Sequence, residues 1–80
     1  MTFPEIHTRL TTVFRDVFDN PKLEITETTS AQDIEEWDSL SHINLIVAAE
    51  KAFATSFTVK EVKALNTVGD LMRLIALRFK

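Results

Sequence analysis

The chain has no cysteine. That absence excludes a disulfide framework and a thiolate zinc site, and it leaves the protein without a nucleophilic sulfur of its own. Any thiol chemistry must be brought in from outside. Glycine occurs once, at position 69, so there is neither a G-x-S-x-G elbow nor a glycine-built oxyanion site. No apolar run approaches the roughly 18 residues of a membrane span. The opening Met-Thr-Phe-Pro-Glu-Ile-His lacks a basic n-region and an apolar h-region, which gives the expectation of a cytoplasmic protein. Positive charge is also in deficit: 9 Lys and Arg stand against 12 Asp and Glu, for a formal charge of -3 and a pI near 5.2. A nucleic-acid binder gains its affinity mainly by neutralising phosphates, so the charge argues against that class, leaving helix-turn-helix DNA binding a remote third reading, and basic partners are expected instead.

What is present suffices for one core. Hydrophobic residues make up 45% of the chain, with six Phe and one Trp, which excludes wholesale disorder. A single domain over residues 1–80, monomeric and able to fold alone, is expected. Such a small domain buries only roughly 60% of the surface its unfolded chain exposes, so its stability is thin.

Thr2 and Glu5 are spaced as a capping box, and Pro4 falls in a first turn where its missing N–H costs little. Ile6, Leu10, Val13, Phe14 and Val17 then recur at helical steps, which predicts a helix over about 4–18 with one dry face and with Arg9, Thr12 and Arg15 elsewhere. Asp19-Asn20-Pro21 ends it. The connection from Pro21 to Asp38 is long for so small a domain, and long ordered loops are commonly functional. It is expected to strap across the helices through Ile25, Ile34 and Trp37, with one helical turn near residues 31–34.

Asp38 is a good N-cap for a second helix over about 39–54, which places Ser39 at its first position, exposed. Leu45, Ile46, Ala49, Ala52 and Phe53 form one face, expected to pack on the first helix. Leu40, Ile43 and Val47 form a second apolar stripe roughly opposite, with Glu50 at its edge. That stripe is either a docking surface or core covered by the short segment that follows. Phe57, Val59, Val62 and Leu65 predict one or two helical turns at about 60–65. Thr67 and Asp70 resemble another capping box, opening a last helix with Val68, Leu71, Met72, Ile75 and Phe79 on one stripe and Arg73, Arg78 and Lys80 outside it. The fold class is all-α: an irregular four-helix bundle with three main helices, one short helix and a long loop between the first and second.

Asp38, Ser39 and His42 invite comparison with a hydrolase, and Glu35, Asp38 and His42 with a metal site. The first lacks an oxyanion site and the second lacks further ligands and an outer shell. Neither a catalytic nor a metal site is therefore assigned. By spacing alone, Ser39 is a solvated first-turn residue or an attachment point, His42 a partly buried histidine with one hydrogen bond, and Trp37 a plug between loop and helices or a recognition residue.

Asp38-Ser39-Leu40 resembles the Asp-Ser-Leu motif of the acyl carrier protein family. Leu45, Glu50 and Phe53 fall where that family's second helix carries a leucine, a glutamate and a phenylalanine. Thr67-Val68-Gly69-Asp70-Leu71 is similar to the family's opening of the last helix. The resemblance spans nearly the whole chain. It implies that Ser39 receives 4′-phosphopantetheine from coenzyme A through a phosphopantetheinyl transferase, next to Asp38 of the motif. The chain would then be no enzyme, but a carrier of acyl or polyketide intermediates as thioesters between the loading and transferring enzymes of fatty-acid or secondary-metabolite biosynthesis. Leu40, Ile43, Val47 and Glu50 would meet those partners. The arm would supply the missing thiol, and a phosphodiester at a helix N-terminus would be favoured by the free N–H groups and the dipole.

Departures from the pattern matter too. The second helix has Glu50 as its only acid, and the short segment carries Lys60 and Lys63, so steering by charge is expected to be weak and partner choice to rest on shape. Trp37 and His42 around the motif look more like discrete carriers of specialised pathways. Ala49 and Ala52 either leave space for an acyl chain or allow close helix packing. The alternative readings are a helical interaction module without a prosthetic group and a peptidyl or aminoacyl carrier.

Overall fold

The computed structural model describes residues 2–79. Lys80, expected outside the last apolar stripe, falls beyond them. Helix α1 runs Phe3–Val17. The Thr2 hydroxyl accepts the Glu5 N–H and donates to the Glu5 carboxylate, which therefore does not close a box on the backbone. Ile6, Leu10, Val13 and Phe14 are buried and Val17 partly so. Full burial of side chains of this size stabilises by about 1.5–3 kcal/mol each, which makes this stripe the centre of the core. The helix stops where Phe18 leaves helical geometry and Asp19 turns left-handed, φ 50°.

Helix α2 spans Ser39–Phe53, α3 Val59–Lys63 and α4 Val68–Arg78. Among the described residues there is no strand, only an isolated bridge between Ser30 and Thr67. No described helix is long and apolar enough to cross a membrane. α1 packs against both α2 and α4, and α3 lies outside that pair of contacts. Each later helix starts on a local cap. Asp38 accepts the Ser41 N–H, and Thr58 with Glu61 and Thr67 with Asp70 form reciprocal boxes. The α3 box, at Thr58 and Glu61, places that helix at 59–63 instead of 60–65.

The long loop does cross the helices, and its anchors are backbone groups as well as apolar side chains. Ile25, Ile34 and Trp37 are buried, and Phe14 meets the Trp37 ring edge-on at 5.4 Å between centroids. His7 Nε2–H donates to the Ile25 carbonyl over 2.6 Å, and Arg15 Nε–H to that of Leu23 over 2.7 Å. The far end is bonded to α4: the N–H of Val68 reaches the Thr29 carbonyl at 2.8 Å and that of Gly69 reaches Glu27 at 2.9 Å. A Cβ on residue 69 would sit 2.7 Å from the Glu27 oxygen. Only glycine admits so close an approach. The helical turn expected near 31–34 is a hydrogen-bonded turn, Asp33 N–H to the Ser30 carbonyl, steadied by the Asp33 carboxylate on the Ser30 N–H.

Two expectations are corrected. Ala52 is exposed, not on the inner face; it lies at the edge of the buried arc and lines a shallow groove with Arg9, Thr12 and Asp16 of α1. Phe79 lies just past the end of α4 as a partly exposed ring 6.4 Å from that of Phe53, not within the buried stripe. Ala49, by contrast, is fully buried in the core cluster.

Candidate functional site at the start of the second helix

Trp37, Asp38 and Ser39 occupy the three positions at which loop becomes helix. Asp38 has extended backbone, φ -109° and ψ -170°, and its Oδ1 accepts the Ser41 N–H at 2.9 Å. The Ser41 backbone bond, against some desolvation, holds the Asp38 carboxyl below its ordinary value. It is ionised at neutral pH. The Ser41 hydroxyl also donates to the Glu36 carbonyl at 2.8 Å, which ties the incoming loop to the first turn. Ser39 is exposed at the first helical residue, where main-chain N–H groups have no acceptor within the helix. This is a position open to a large modifying enzyme and suited to an anion.

Next to it the outer stripe of α2 remains uncovered. Leu40 is 69% exposed, Ile43 58% and Val47 44%. α3 does not close over them. Instead Ile43 and Val47 form one side of an open groove of about 900 Å³, whose other side is Phe57, Val59, Val62 and Leu65, while Leu40 stands outside that lining. Ser39, Trp37 and His42 stand at the same groove, as does Glu50. The carboxylate of Glu50 is engaged: its Oε2 accepts the Phe57 N–H at 2.7 Å, which folds the connection after α2 back on the helix. That connection begins at Ala54, left-handed with φ 51°.

Trp37 and His42 are joined as well. Trp37 Nε1–H donates to His42 Nδ1 at 3.1 Å, and the rings are stacked at 6.0 Å and 21°. They occupy the positions before the cap and four into the helix, the pair that a hydrophobic staple uses. Sequence reasoning missed this bond, although the staple spacing signalled it. It also missed the bond from Glu50 to Phe57, whose donor lies beyond the end of the helix. Glu35, Asp38 and His42 are not gathered as a metal site: no group of three or more His, Asp or Glu able to hold an ion occurs among the described residues.

A covalent arm fits these residues: an exposed hydroxyl on a capped helix start, free main-chain N–H groups for a phosphate, and a mostly apolar groove alongside. The family comparison agrees. Residues 8–75 match the family described as the phosphopantetheine attachment site. The chain is 38% identical over 72 residues to the acyl carrier protein of Acidothermus cellulolyticus, covering 90% of this chain and 86% of that one. Its fold is similar to the solution structure of the holo acyl carrier protein of Geobacter metallireducens, with a TM-score of 0.85 and 44% identity over 91% of this chain and 84% of the other. The chain therefore belongs to the acyl carrier protein family, helical carriers and not enzymes, whose cofactor is covalently attached 4′-phosphopantetheine.

Proposed function

We propose that Ser39 is the attachment point, loaded by a phosphopantetheinyl transferase, and that the chain carries acyl or polyketide intermediates between enzymes of fatty-acid or secondary-metabolite biosynthesis. When bound, the arm supplies the terminal thiol that holds cargo as a thioester. The protein supplies position. Asp38 fixes the helix start, Ser39 offers its hydroxyl outward, and Leu40, Ile43 and Val47 give partner enzymes an apolar surface within one or two turns of the tether. The carboxylate of Glu50, the only acid of α2, is fixed at the edge of that surface by its bond to the Phe57 N–H.

The observation that carries the reading is the coincidence of an exposed Ser39 at a capped helix start with an uncovered apolar stripe beside it. α2 has Lys51 in its last turn and no acid in its first, while Lys63 borders the groove. Association with partners should therefore respond weakly to salt. This charge pattern, with Trp37 and His42 around the motif, supports a discrete carrier of a specialised pathway. The reading takes residues 1–80 as one domain, monomeric and acting in the cytoplasm. Incubation of apo protein with coenzyme A, Mg²⁺ and a broad-specificity transferase tests it by intact mass. Addition to wild type and none to Ser39→Ala is expected. An unchanged wild type would instead leave an interaction module that works through the stripe alone.

A further inference from the structure

The bond between Trp37 and His42 has a chemical consequence at Ser39. A ring nitrogen that accepts a hydrogen bond carries no proton, so neutral His42 has its proton on Nε2. Trp37 is buried, and His42 Nδ1 is the acceptor of its indole N–H among the described residues. Losing this part-buried bond would leave the indole N–H without its protein acceptor, which favours the ring form with Nδ1 unprotonated. His42 is half-buried and its Nε2 has no partner there, yet no fully occluded side-chain nitrogen or oxygen lacks one. Nε2–H is therefore open to solvent, on a residue that lines the groove with Ser39.

Helical side chains lean toward the N-terminus and cover the turn before their own Cα. Residues three apart are surface neighbours. The His42 ring shows this lean directly, since it reaches back to Trp37, five residues earlier. The turn it covers begins at Ser39. No cation occupies the first turn of α2, and the Ser41 hydroxyl there is committed to the Glu36 carbonyl. Within α2, His42 is thus the side-chain N–H donor standing one turn from the Ser39 hydroxyl, across the groove from Lys63 and Asn66.

We propose that His42 is a positioning residue for the prosthetic arm: its Nε2–H donates to a non-bridging oxygen of the phosphodiester on Ser39, and Trp37 selects the tautomer that makes this possible. The proposal rests on Ser39 being the attachment point. A neutral donor suits the place. It pins the phosphate, whose orientation sets where the arm leaves the helix, without the fixed charge that would pair with the neighbouring Asp38 carboxylate.

The test uses protein labelled with ¹⁵N in histidine, apo and enzymatically loaded, at pH 8. Long-range ¹H–¹⁵N spectra should show His42 as the Nε2–H tautomer before loading. Loading should shift the Nε2 resonance and leave Nδ1 in its accepting state. The ³¹P resonance should move in loaded His42→Phe and return toward the wild-type position in His42→Gln, whose amide can accept from Trp37 and donate onward. Trp37→Phe should give mixed tautomers and move the ³¹P signal in the direction of His42→Phe; if it fails to fold, the two His42 variants decide alone. An Nδ1–H tautomer in the apo protein overturns the proposal. So does a loaded protein whose Nε2 and ³¹P resonances ignore each other's presence. Failure of the attachment reading is seen separately, as wild type without added mass or Ser39→Ala with it, and it overturns the proposal by removing the anion.

Discussion

Gly69 is where one atom matters most. It lies inside α4, where alanine would gain about 1 kcal/mol in helix propensity. Against that gain, the added Cβ would stand 2.7 Å from the Glu27 carbonyl oxygen and 3.2 Å from the Glu27 Cβ. Backbone cannot step aside as a flexible side chain can, and overpacking costs about 1–3 kcal/mol. The clash wins. Gly69→Ala is expected to lower the urea midpoint and to speed hydrogen exchange at the amides of residues 68 and 69, which now bond to the loop. A variant as stable as wild type would mean that the loop yields freely. The sequence placed Gly69 in a motif without saying why a glycine is needed. Asp38 and Thr67 were legible because a cap and its N–H groups lie within one turn. His7, Arg15 and Gly69 were not, because each bonds backbone carried by a distant part of the chain, and nothing in a local pattern records that.

At the scale of elements, α2 is a helix with two apolar faces of different fate. Leu45, Ile46, Ala49 and Phe53 are buried, while Leu40, Ile43 and Val47 are open. The hydrophobic spacing revealed both stripes but could not say whether α3 covers the second. The answer depends on how the connection after Phe53 turns, which Ala54 and the Glu50 to Phe57 bond decide. Ala52 was misplaced for a related reason: a small apolar residue at the edge of a buried arc is settled by its neighbour helix, not by its own period. Val47→Asp should leave the unfolding free energy within about 0.5 kcal/mol of wild type, as exposed substitutions do, while slowing loading by the transferase. Unfolding of that variant would contradict an open stripe.

The helix starts also share a pH dependence. Asp38 bonds the Ser41 N–H, Glu61 the Thr58 N–H and Asp70 the Asn66 N–H, and in each case that backbone bond is the main cause of a lowered carboxyl pKa. Arg78 assists at Glu61 and Arg73 at Asp70. A carboxyl whose folded pKa lies below its unfolded value binds more protons when unfolded, so it adds stability above the unfolded value of about 4. That contribution is lost as pH falls through the folded values. Urea midpoints measured from pH 7 to pH 2.5 should be level with respect to these groups above about pH 5 and decline below about pH 4. Asp70→Asn with Glu61→Gln should shallow the decline. A decline of the same steepness in the double variant would remove these caps from the account.

For the whole molecule, one core holds everything, with α1 at its centre and the loop closing it from α1 across to α4. A domain of this size has a net stability of only about 4–12 kcal/mol. The helix count, their order and the long strap were legible because each helix carries its own period and cap. The groove was not, since it is made by the gap between α2 and a short α3. The proposed attachment site was read from a different signal: Asp38-Ser39-Leu40 is a local motif, and the family resemblance around it in register makes it specific. The central claim is that Ser39 holds the arm. The most direct measurement is fragmentation mass spectrometry of the enzymatically loaded protein on the tryptic peptide spanning residues 23–51, which also contains Ser30, Ser41 and several threonines. The account predicts the phosphopantetheinyl mass on Ser39 alone. The same mass on Ser41 or on any loop hydroxyl would contradict it.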